Sequence, residues 1–364
     1  MKLQYRAIEG TNTKTRRLAY LTAILLILRQ EGLSEQLLLK RLTTWSSDHQ
    51  NELRNYYMHT GEITSTQKNS ASFQYLDLAV RLKLIVPLSG MYQITRIGSV
   101  LVALMKSYEP NPNHFFLNLA EKIFYTYCIL KADADIFLTI VDSLFKEDAS
   151  LISLQQTFQE KFLKRLDVKI LTVQDERVRL QLRDRLREVK EWGKPERYAE
   201  HLVPPRLNWL LDLGFLEPIP FRQHCFKSTG AGQLFLSSLL CIGEPCFHDV
   251  SDQWLDLEYW QIIAQTLVEI GSPVNWMGVD LETQYNLMGI LLAEAFHLFR
   301  YSFVPRISLI QIMLYLSIRL LLDHHIVASP AALTEWFSSA RVMDERRYEV
   351  RLSPRENESY LIIL

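Results

Sequence analysis

The sequence predicts a mostly α-helical protein with short β-hairpins, in the α+β class. Two observations lead to this prediction. Leucine dominates the apolar positions and recurs at the three- and four-residue spacing of a helix face. Only 13 glycines and 13 prolines interrupt the 364 residues, and 48% of the chain is hydrophobic, which is ordinary for a folded protein and leaves room for long helices.

The stretch 206–240 displays the elements most clearly. Its leucines follow helical spacing up to Gly214, a residue that ends helices readily because it accepts a left-handed backbone. Prolines in the next segment indicate an edge strand, since proline cannot donate to a ladder. The predicted elements are a helix from Arg206, an outgoing strand marked by Pro218 and Pro220, a return strand over 224–227, and a helix from Gly232 capped at Ser228-Thr229.

The same pattern occurs earlier, over 73–105. Both copies read aromatic-x-x-Thr-x-x-Gly before an apolar helix: Tyr92, Thr95 and Gly98 in the first, Phe226, Thr229 and Gly232 in the second. The aromatic side chain is expected to anchor the hairpin, threonine to cap the helix, and glycine to allow close helix packing. Two copies favour a repeated fold unit over two unrelated helix–hairpin units.

Helix, hairpin and following helix, repeated in this way, resemble the second half of a winged-helix domain. The resemblance points to tandem winged-helix DNA-binding proteins of prokaryotic DNA-processing or defence systems, and covers about half of the chain. It implies tandem winged-helix units linked by helical segments. It brings no catalytic residues with it.

Two breaks divide the chain into three predicted parts. Pro110-Asn111-Pro112-Asn113 is the clearest, and 243–252 is the second. We therefore expect an N-terminal winged-helix domain over 1–109 and a helical segment with a second winged-helix unit over 110–242. A C-terminal helical domain over 243–364 ends in two helices and a hairpin, which makes it a candidate third winged helix without the aromatic–Thr–Gly pattern.

The other elements are predicted from periodicity and capping. Residues 1–17 are polar and basic, and we interpret them as a mobile or strand-forming arm. The mixed charges of 173–192 favour a solvated helix face with ion pairs over a surface that tracks phosphates. Further helices are predicted over 18–30, 35–45, 69–85, 114–130, 134–145, 151–166, 257–270, 282–299, 306–323 and 330–340, with strands over 347–352 and 359–364.

Composition limits the classes of function. The formal net charge is −1, so DNA binding must rest on local basic faces. Four cysteines without a disulfide-like spacing and the lack of a signal peptide favour the cytoplasm. The apolar run over 307–322 is interrupted by Gln311 and Arg319 and is too short for a membrane span, so no membrane association is expected.

The motifs of common enzymes are missing. The sequence contains no P-loop, dinucleotide fingerprint or nucleophile elbow, so we predict no catalytic residue and no cofactor. Asp133 and Asp135 are assigned to a helix N-terminus rather than to a metal. Cys225, Cys241, Cys246 and His248 could supply zinc ligands, but their spacing is unusual and cysteine is commonly a buried hydrophobe, so no metal site is predicted.

The predicted function is that of a non-catalytic DNA-binding protein in a bacterial DNA-processing or antiviral or plasmid-defence complex. Its partners would be double-stranded DNA and other proteins of the assembly. A kleisin-like scaffold subunit, whose winged helices bind proteins rather than DNA, is the alternative, favoured by the near-neutral charge.

If the protein binds DNA, the helix before each hairpin is expected to enter the major groove and the hairpin to contact phosphate. The predicted DNA contacts are Gln74, Arg81 and Lys83 from the first unit, Arg206 and Asn208 from the helix before the second hairpin, and Arg222 and Lys227 from the second hairpin itself.

Overall fold

A computed structural model describes most of the chain. The described residues are 5–11, 13–54, 61–63, 70–144, 149–220, 222, 224–239, 250–299, 306–339, 342–343, 346–353 and 359–363. Helices predominate, and the strands form small sheets, so the predicted mostly α class with short β-hairpins is confirmed. No helix among the described residues is both long and apolar enough to cross a membrane.

The first unit spans residues 19–107. Its sheet has the order β1-β3-β2 and is antiparallel, so β2 lies at an edge, as its Pro87 predicts. Ser89 and Gly90 join β2 to β3 with φ angles of 51° and 79°, the two positive values that suit a tight hairpin. The elements are α1 (Ala19–Leu28), β1 (Leu33–Ser34), α2 (Glu35–Asp48), α3 (Gln50–Arg54), α4 (Ser70–Arg81), β2 (Ile85–Leu88), β3 (Met91–Ile94) and α5 (Arg96–Ser107).

The second unit spans residues 119–239 and repeats this order of helices and strands. Its sheet order is β4-β6-β5, again antiparallel with the outgoing hairpin strand at an edge. Its first helix is kinked at Asp133, which falls between the two helices predicted there. The elements are α6 (Leu119–Leu144), β4 (Ala149–Ser150), α7 (Leu151–Thr172), α8 (Glu176–Lys190), α9 (Pro195–Asp212), β5 (Leu216–Pro218), β6 (Cys225–Ser228) and α10 (Gly230–Leu239).

The third unit spans residues 281–363 and follows two short helices, α11 (Asp252–Leu257) and α12 (Tyr259–Thr266). Its sheet order is β10-β11-β12-β8, so the strand before the second helix again pairs with the return strand of the hairpin. A parallel pair joins β7 (Val274–Asn275) to β9 (Ile326–Val327). The unit consists of α13 (Leu281–Phe299), β8 (Arg306–Ser308), α14 (Leu309–His324), β9, α15 (Pro330–Ser339), β10 (Val342–Met343), β11 (Arg346–Arg351) and β12 (Tyr360–Ile363).

The aromatic–Thr–Gly pattern performs the same structural task in the first two units. The hydroxyl oxygens of Thr95 and Thr229 accept the N–H groups of Gly98 and Gly232 at 3.1 and 3.0 Å, capping α5 and α10. A Cβ on Gly98 would lie 2.2 Å from the carbonyl oxygen of Leu84, and on Gly232 it would lie 2.0 Å from that of Phe215. Only glycine therefore allows each helix to lie against its hairpin.

The described residues of the N-terminal arm, 5–11 and 13–17, are bonded to the rest of the protein and form no strand, which corrects its prediction as a mobile or strand-forming arm. Arg6 and Arg17 are buried. The backbone N–H of Arg6 donates to Asp135 at 2.7 Å, and that of Ile8 donates to Asp133 at 2.7 Å. Asp133 and Asp135 sit at the kink of α6, where their carboxylates satisfy the backbone of the arm. This role replaces the helix N-terminus assigned to them from the sequence.

Long-range contacts join the three units. Helix α14 of the third unit packs against α5 of the first and α6 of the second, and α10 packs against α12. The hydroxyl of Tyr259 donates to the carbonyl oxygen of Ile123 at 2.7 Å, and that of Tyr108 donates to Asp323 at 2.7 Å. Because the arm and these contacts connect residues far apart in sequence, the units share one buried interior.

Candidate interaction surface

The second unit buries the helix predicted to read DNA. Arg206, on α9, is fully buried and forms two hydrogen bonds with Asp133, from Nε to Oδ2 at 2.7 Å and from Nη2 to Oδ1 at 2.8 Å. It also donates to the carbonyl oxygen of Ile8 at 2.7 Å. Arg206 therefore cannot contact DNA in this structure, and its assignment as a DNA contact is corrected.

Asn208 is also placed in the interior, which corrects its assignment as well. Its Nδ2 donates to the carbonyl oxygen of Pro204 at 2.7 Å. The helix contains Pro204 and Pro205, and proline leaves a carbonyl four residues earlier without its helical donor. The carbonyl oxygen of His201, which stands in that position relative to Pro205, accepts from the hydroxyl of Thr11 at 3.3 Å. Thr11 of the arm thus supplies a donor in place of the N–H that Pro205 lacks.

Burial also sets the electrostatics of this interior. Desolvation raises the pKa of Asp133, while the guanidinium of Arg206 and the N–H of Ile8 act in the opposite direction. Asp212 at the end of α9 pairs with Arg17 at 2.7 Å, and both side chains are fully shielded from solvent. These ionic groups join the arm, α6 and α9, and form no surface for a ligand.

The hairpin residues of the second unit are exposed. Arg222 lies at the surface, and Lys227 on β6 pairs with Glu217 on β5 at 2.9 Å. Helix α8 carries i,i+3 ion pairs, among them Arg179–Glu176 and the exposed Arg187–Asp184. The expectation of a solvated, paired face on α8 agrees with this arrangement.

The first unit keeps its predicted basic residues at or near the surface. Gln74 is half-buried, whereas Arg81 and Lys83 are exposed at the end of α4. Arg81 Nε lies 2.6 Å from Oδ2 of Asp77 on the same helix, so an acidic group accompanies its charge. Lys83 has a φ of 58°, a left-handed conformation in the turn between α4 and β2.

The outer face of the first hairpin is apolar. Val86 and Leu88 point to the same side of β2, and Met91 faces Leu88 across the ladder. These three side chains, here called the apolar hairpin face, are 41%, 54% and 43% exposed. Ile85, on the opposite side of the strand, is buried. The same unit also exposes Leu37 on α2 and Phe73 on α4. Sequence reasoning missed this surface because β-strand alternation alone does not show which face meets the core.

The proposed cysteine group is only partly described. Cys225 is half-buried with a free thiol. Cys241, Cys246 and His248 lie outside the described residues.

Comparisons of the chain with models of protein families, with curated proteins and with solved structures found no match.

Proposed function

We propose that the protein is a non-catalytic assembly subunit built from tandem winged helices, and that its first unit binds a partner protein. The observation that carries this proposal is the apolar hairpin face, Val86, Leu88 and Met91, at the position where a DNA-binding winged helix would present polar or basic groups. Exposed apolar groups gathered on one face are typical of protein interaction sites.

The order of elements supports the winged-helix assignment. Each unit runs helix, short strand, two or more helices and a hairpin, and each short first strand pairs with the returning hairpin strand. The helix before the hairpin is the one that reads DNA in DNA-binding members of this architecture. In the second unit this helix is α9, whose Arg206 and Asn208 are buried, so these two residues serve the interior instead.

Among its described residues, the third unit has no exposed basic side chain on α15, the helix before its hairpin. The exposed side chains of α15 are Glu335, Ser338 and Ser339, which are acidic or neutral. Arg351 on the hairpin pairs with Glu349 at 2.9 Å. Neither α9 nor α15 therefore supports DNA recognition, which favours a protein partner.

The edge of the first hairpin indicates how the partner binds. Pro87 lies in the edge strand β2 and lacks the N–H that an added strand would need. The partner is therefore expected to pack side chains on the apolar hairpin face rather than extend the sheet. An amphipathic helix, which presents an apolar stripe, is the segment that fits this requirement.

Site-specific photocrosslinking in cells tests the proposal. A photoreactive residue at position 88 should capture one discrete protein, and the same residue at Leu171, which is 84% exposed on α7, should not. The captured protein, purified and recombined, should bind the wild type and lose at least tenfold in affinity to Leu88→Glu but not to Leu171→Glu. Capture of only a second copy of the chain, only DNA, or nothing beyond the control would overturn the proposal.

DNA binding is the second candidate, because Arg81 and Lys83 are exposed beside the first hairpin, and Arg222 and Lys227 are exposed on the second. Titration of a duplex of about 30 base pairs across salt measures it, since the logarithm of affinity falls linearly with log salt when phosphates are neutralised. Micromolar or tighter binding that is weakened by Arg81→Ala and Lys83→Ala, and by Arg222→Ala and Lys227→Ala on the second hairpin, would favour DNA. Absence of binding at low salt would exclude autonomous DNA binding. Membership of a DNA-processing or defence complex stays a prediction.

A further inference from the structure

Two histidines and one glutamate converge beside the second helix of the first unit. His49 follows α2, Glu52 lies in α3, and His114 lies in the segment between α5 and α6. One donor atom from each lies within 4.8 Å of the other two. His114 Nδ1 is 2.9 Å from Glu52 Oε2, and His49 Nε2 is 4.0 Å from Glu52 Oε1.

The hydrogen bond made by His49 fixes its tautomer. Its Nδ1 lies 2.8 Å from the carbonyl oxygen of Trp45, which can only accept, so Nδ1 carries the proton. The lone pair is then on Nε2, the nitrogen nearer to Glu52. Histidines that bind metals commonly donate their other ring N–H to a backbone carbonyl in this way, because it fixes the ring and raises its basicity.

The other side chains are also held in position. The backbone N–H of His114 donates to Glu52 Oε2 at 2.6 Å, and Asn113 Nδ2 donates to the carbonyl oxygen of Glu52 at 3.0 Å. The indole of Trp45 stacks on the imidazole of His49 with ring centroids 4.3 Å apart. The backbone of His114 therefore holds the carboxylate of Glu52, while Asn113 and Trp45 support the group from outside it.

We propose that His49, Glu52 and His114 bind a divalent transition-metal ion, with zinc as the reference ion. Imidazole and carboxylate donors suit zinc, and also cobalt, nickel and ferrous iron. Around tetrahedral zinc, neighbouring donors lie about 3.4 Å apart, given Zn–N and Zn–O distances of about 2.0–2.1 Å. The contacts at 2.9 and 4.0 Å bracket that spacing, so small side-chain rotations complete the site. Three protein ligands leave a fourth position for water.

This site differs from the sequence expectation of no metal. Glu52 and His114 are 62 residues apart, so they form no short ligand motif that could be recognised in the sequence. A bound ion would connect the end of α2 and α3 to the segment that leads into α6. It would thereby join the first unit to the start of the second.

Calorimetric titration of the full-length, chelator-treated protein with Zn²⁺ tests the proposal. The wild type should bind about one equivalent, and His49→Ala, His114→Ala and Glu52→Gln should each weaken binding at least tenfold. His297→Ala, an exposed histidine on α13, is the control and should bind as the wild type does. Absence of saturable binding, or equal binding by the His49, Glu52 and His114 variants and the control, would overturn the proposal and leave a Glu52–His114 hydrogen bond.

Cobalt supplies a readout that does not depend on stability. Co²⁺ should give the intense visible bands of a tetrahedral nitrogen and oxygen site, and should quench the fluorescence of Trp45. The quenched component should be missing from Trp45→Phe, while its visible spectrum remains. A spectrum like that of aqueous Co²⁺, or quenching that persists in Trp45→Phe, would contradict the assignment.

Discussion

Arg206 and Asp133 meet in the interior through two hydrogen bonds of 2.7 and 2.8 Å, and both side chains are fully shielded from solvent. The pair joins α9 to the kink of α6, 73 residues earlier in the chain. Removing one member of a buried pair leaves the other charged and unsatisfied, which is far more costly than losing an exposed contact.

Replacement of Arg206 should therefore destabilise the fold. Arg206→Met is expected to lower the free energy of unfolding by about 3–5 kcal/mol, the usual cost of breaking a buried pair. Arg222→Met, at an exposed arginine, should change it by no more than about 0.5 kcal/mol. Urea denaturation followed by circular dichroism measures both. An Arg206→Met protein of wild-type stability but weaker DNA binding would restore the original assignment of this residue.

A double variant separates the interaction energy of the Asp133–Arg206 pair from the effects of the single substitutions. Asp133→Leu combined with Arg206→Met removes both charges, and should be more stable than the sum of the single effects predicts. The same denaturation experiment gives the interaction energy. Strict additivity would show that the two residues do not act as a pair.

The glycines that follow each capping threonine should not tolerate alanine. Gly98→Ala and Gly232→Ala would place a Cβ about 2 Å from a backbone carbonyl oxygen and should cost about 3 kcal/mol or more, the upper part of the overpacking range. Gly230→Ala is the matched control in α10, because its Cβ meets open space. It should be neutral or stabilise by up to about 1 kcal/mol. Equal effects at 230 and 232, measured by thermal unfolding, would contradict the close approach.

Lys83 and Gly214 occupy equivalent turns in the two units. Lys83 has φ 58° and Gly214 has φ 84°, and each N–H donates to a carbonyl three residues earlier, on Val80 and on Leu211. The left-handed backbone disfavours residues with a Cβ by about 1–2 kcal/mol. Lys83→Gly should therefore stabilise the protein by about 0.5–1 kcal/mol after the greater freedom of unfolded glycine is included.

Gly214→Ala is the reciprocal change and should destabilise by about 1–2 kcal/mol. Both variants are measured by denaturant titration. Shifts of the same sign would show that the two turns are not equivalent. Lys83→Gly also removes one predicted DNA contact, so its affinity for the duplex tests the second candidate function independently of folding.

The carboxyl group of Glu121 should make stability depend on pH. Burial raises its pKa, against the opposing effects of hydrogen bonds from the N–H of Asn118 and the hydroxyl of Thr22. The folded protein then holds this proton more tightly than the unfolded chain, whose glutamate pKa is about 4.3. The stability that this group contributes is therefore complete below the unfolded pKa of about 4.3, and it is lost as the pH rises through the higher pKa of the folded state.

Glu121→Gln removes this dependence. The variant should gain stability relative to the wild type as the pH increases from about 4.3 towards neutrality. The two proteins should converge at the acid end, where Glu121 is protonated in both states. Urea titrations at a series of pH values measure the difference, and a difference that does not change with pH would refute the assignment.

Local sequence determined the secondary structure and its caps. The spacing of leucines, the paired aromatic-x-x-Thr-x-x-Gly patterns and the prolines of the hairpins predicted helices, caps and edge strands that the structure confirms at Thr95, Thr229 and Pro87. These features depend on residues a few positions apart, whose backbone preferences and side-chain hydrogen bonds act within one turn.

Tertiary structure decided which polar residues remain accessible. The sequence predicts Arg206 as a DNA contact because it lies on the helix before a hairpin. In the structure its side chain pairs with Asp133 and donates to the carbonyl oxygen of Ile8 in the N-terminal arm. His114 and Glu52 meet across 62 residues. Pairing over such distances is set by how helices pack and by where charges can be desolvated with a partner, and neither appears in local periodicity. The sequence therefore determined the repeated elements, and packing alone determined which of their surfaces face solvent.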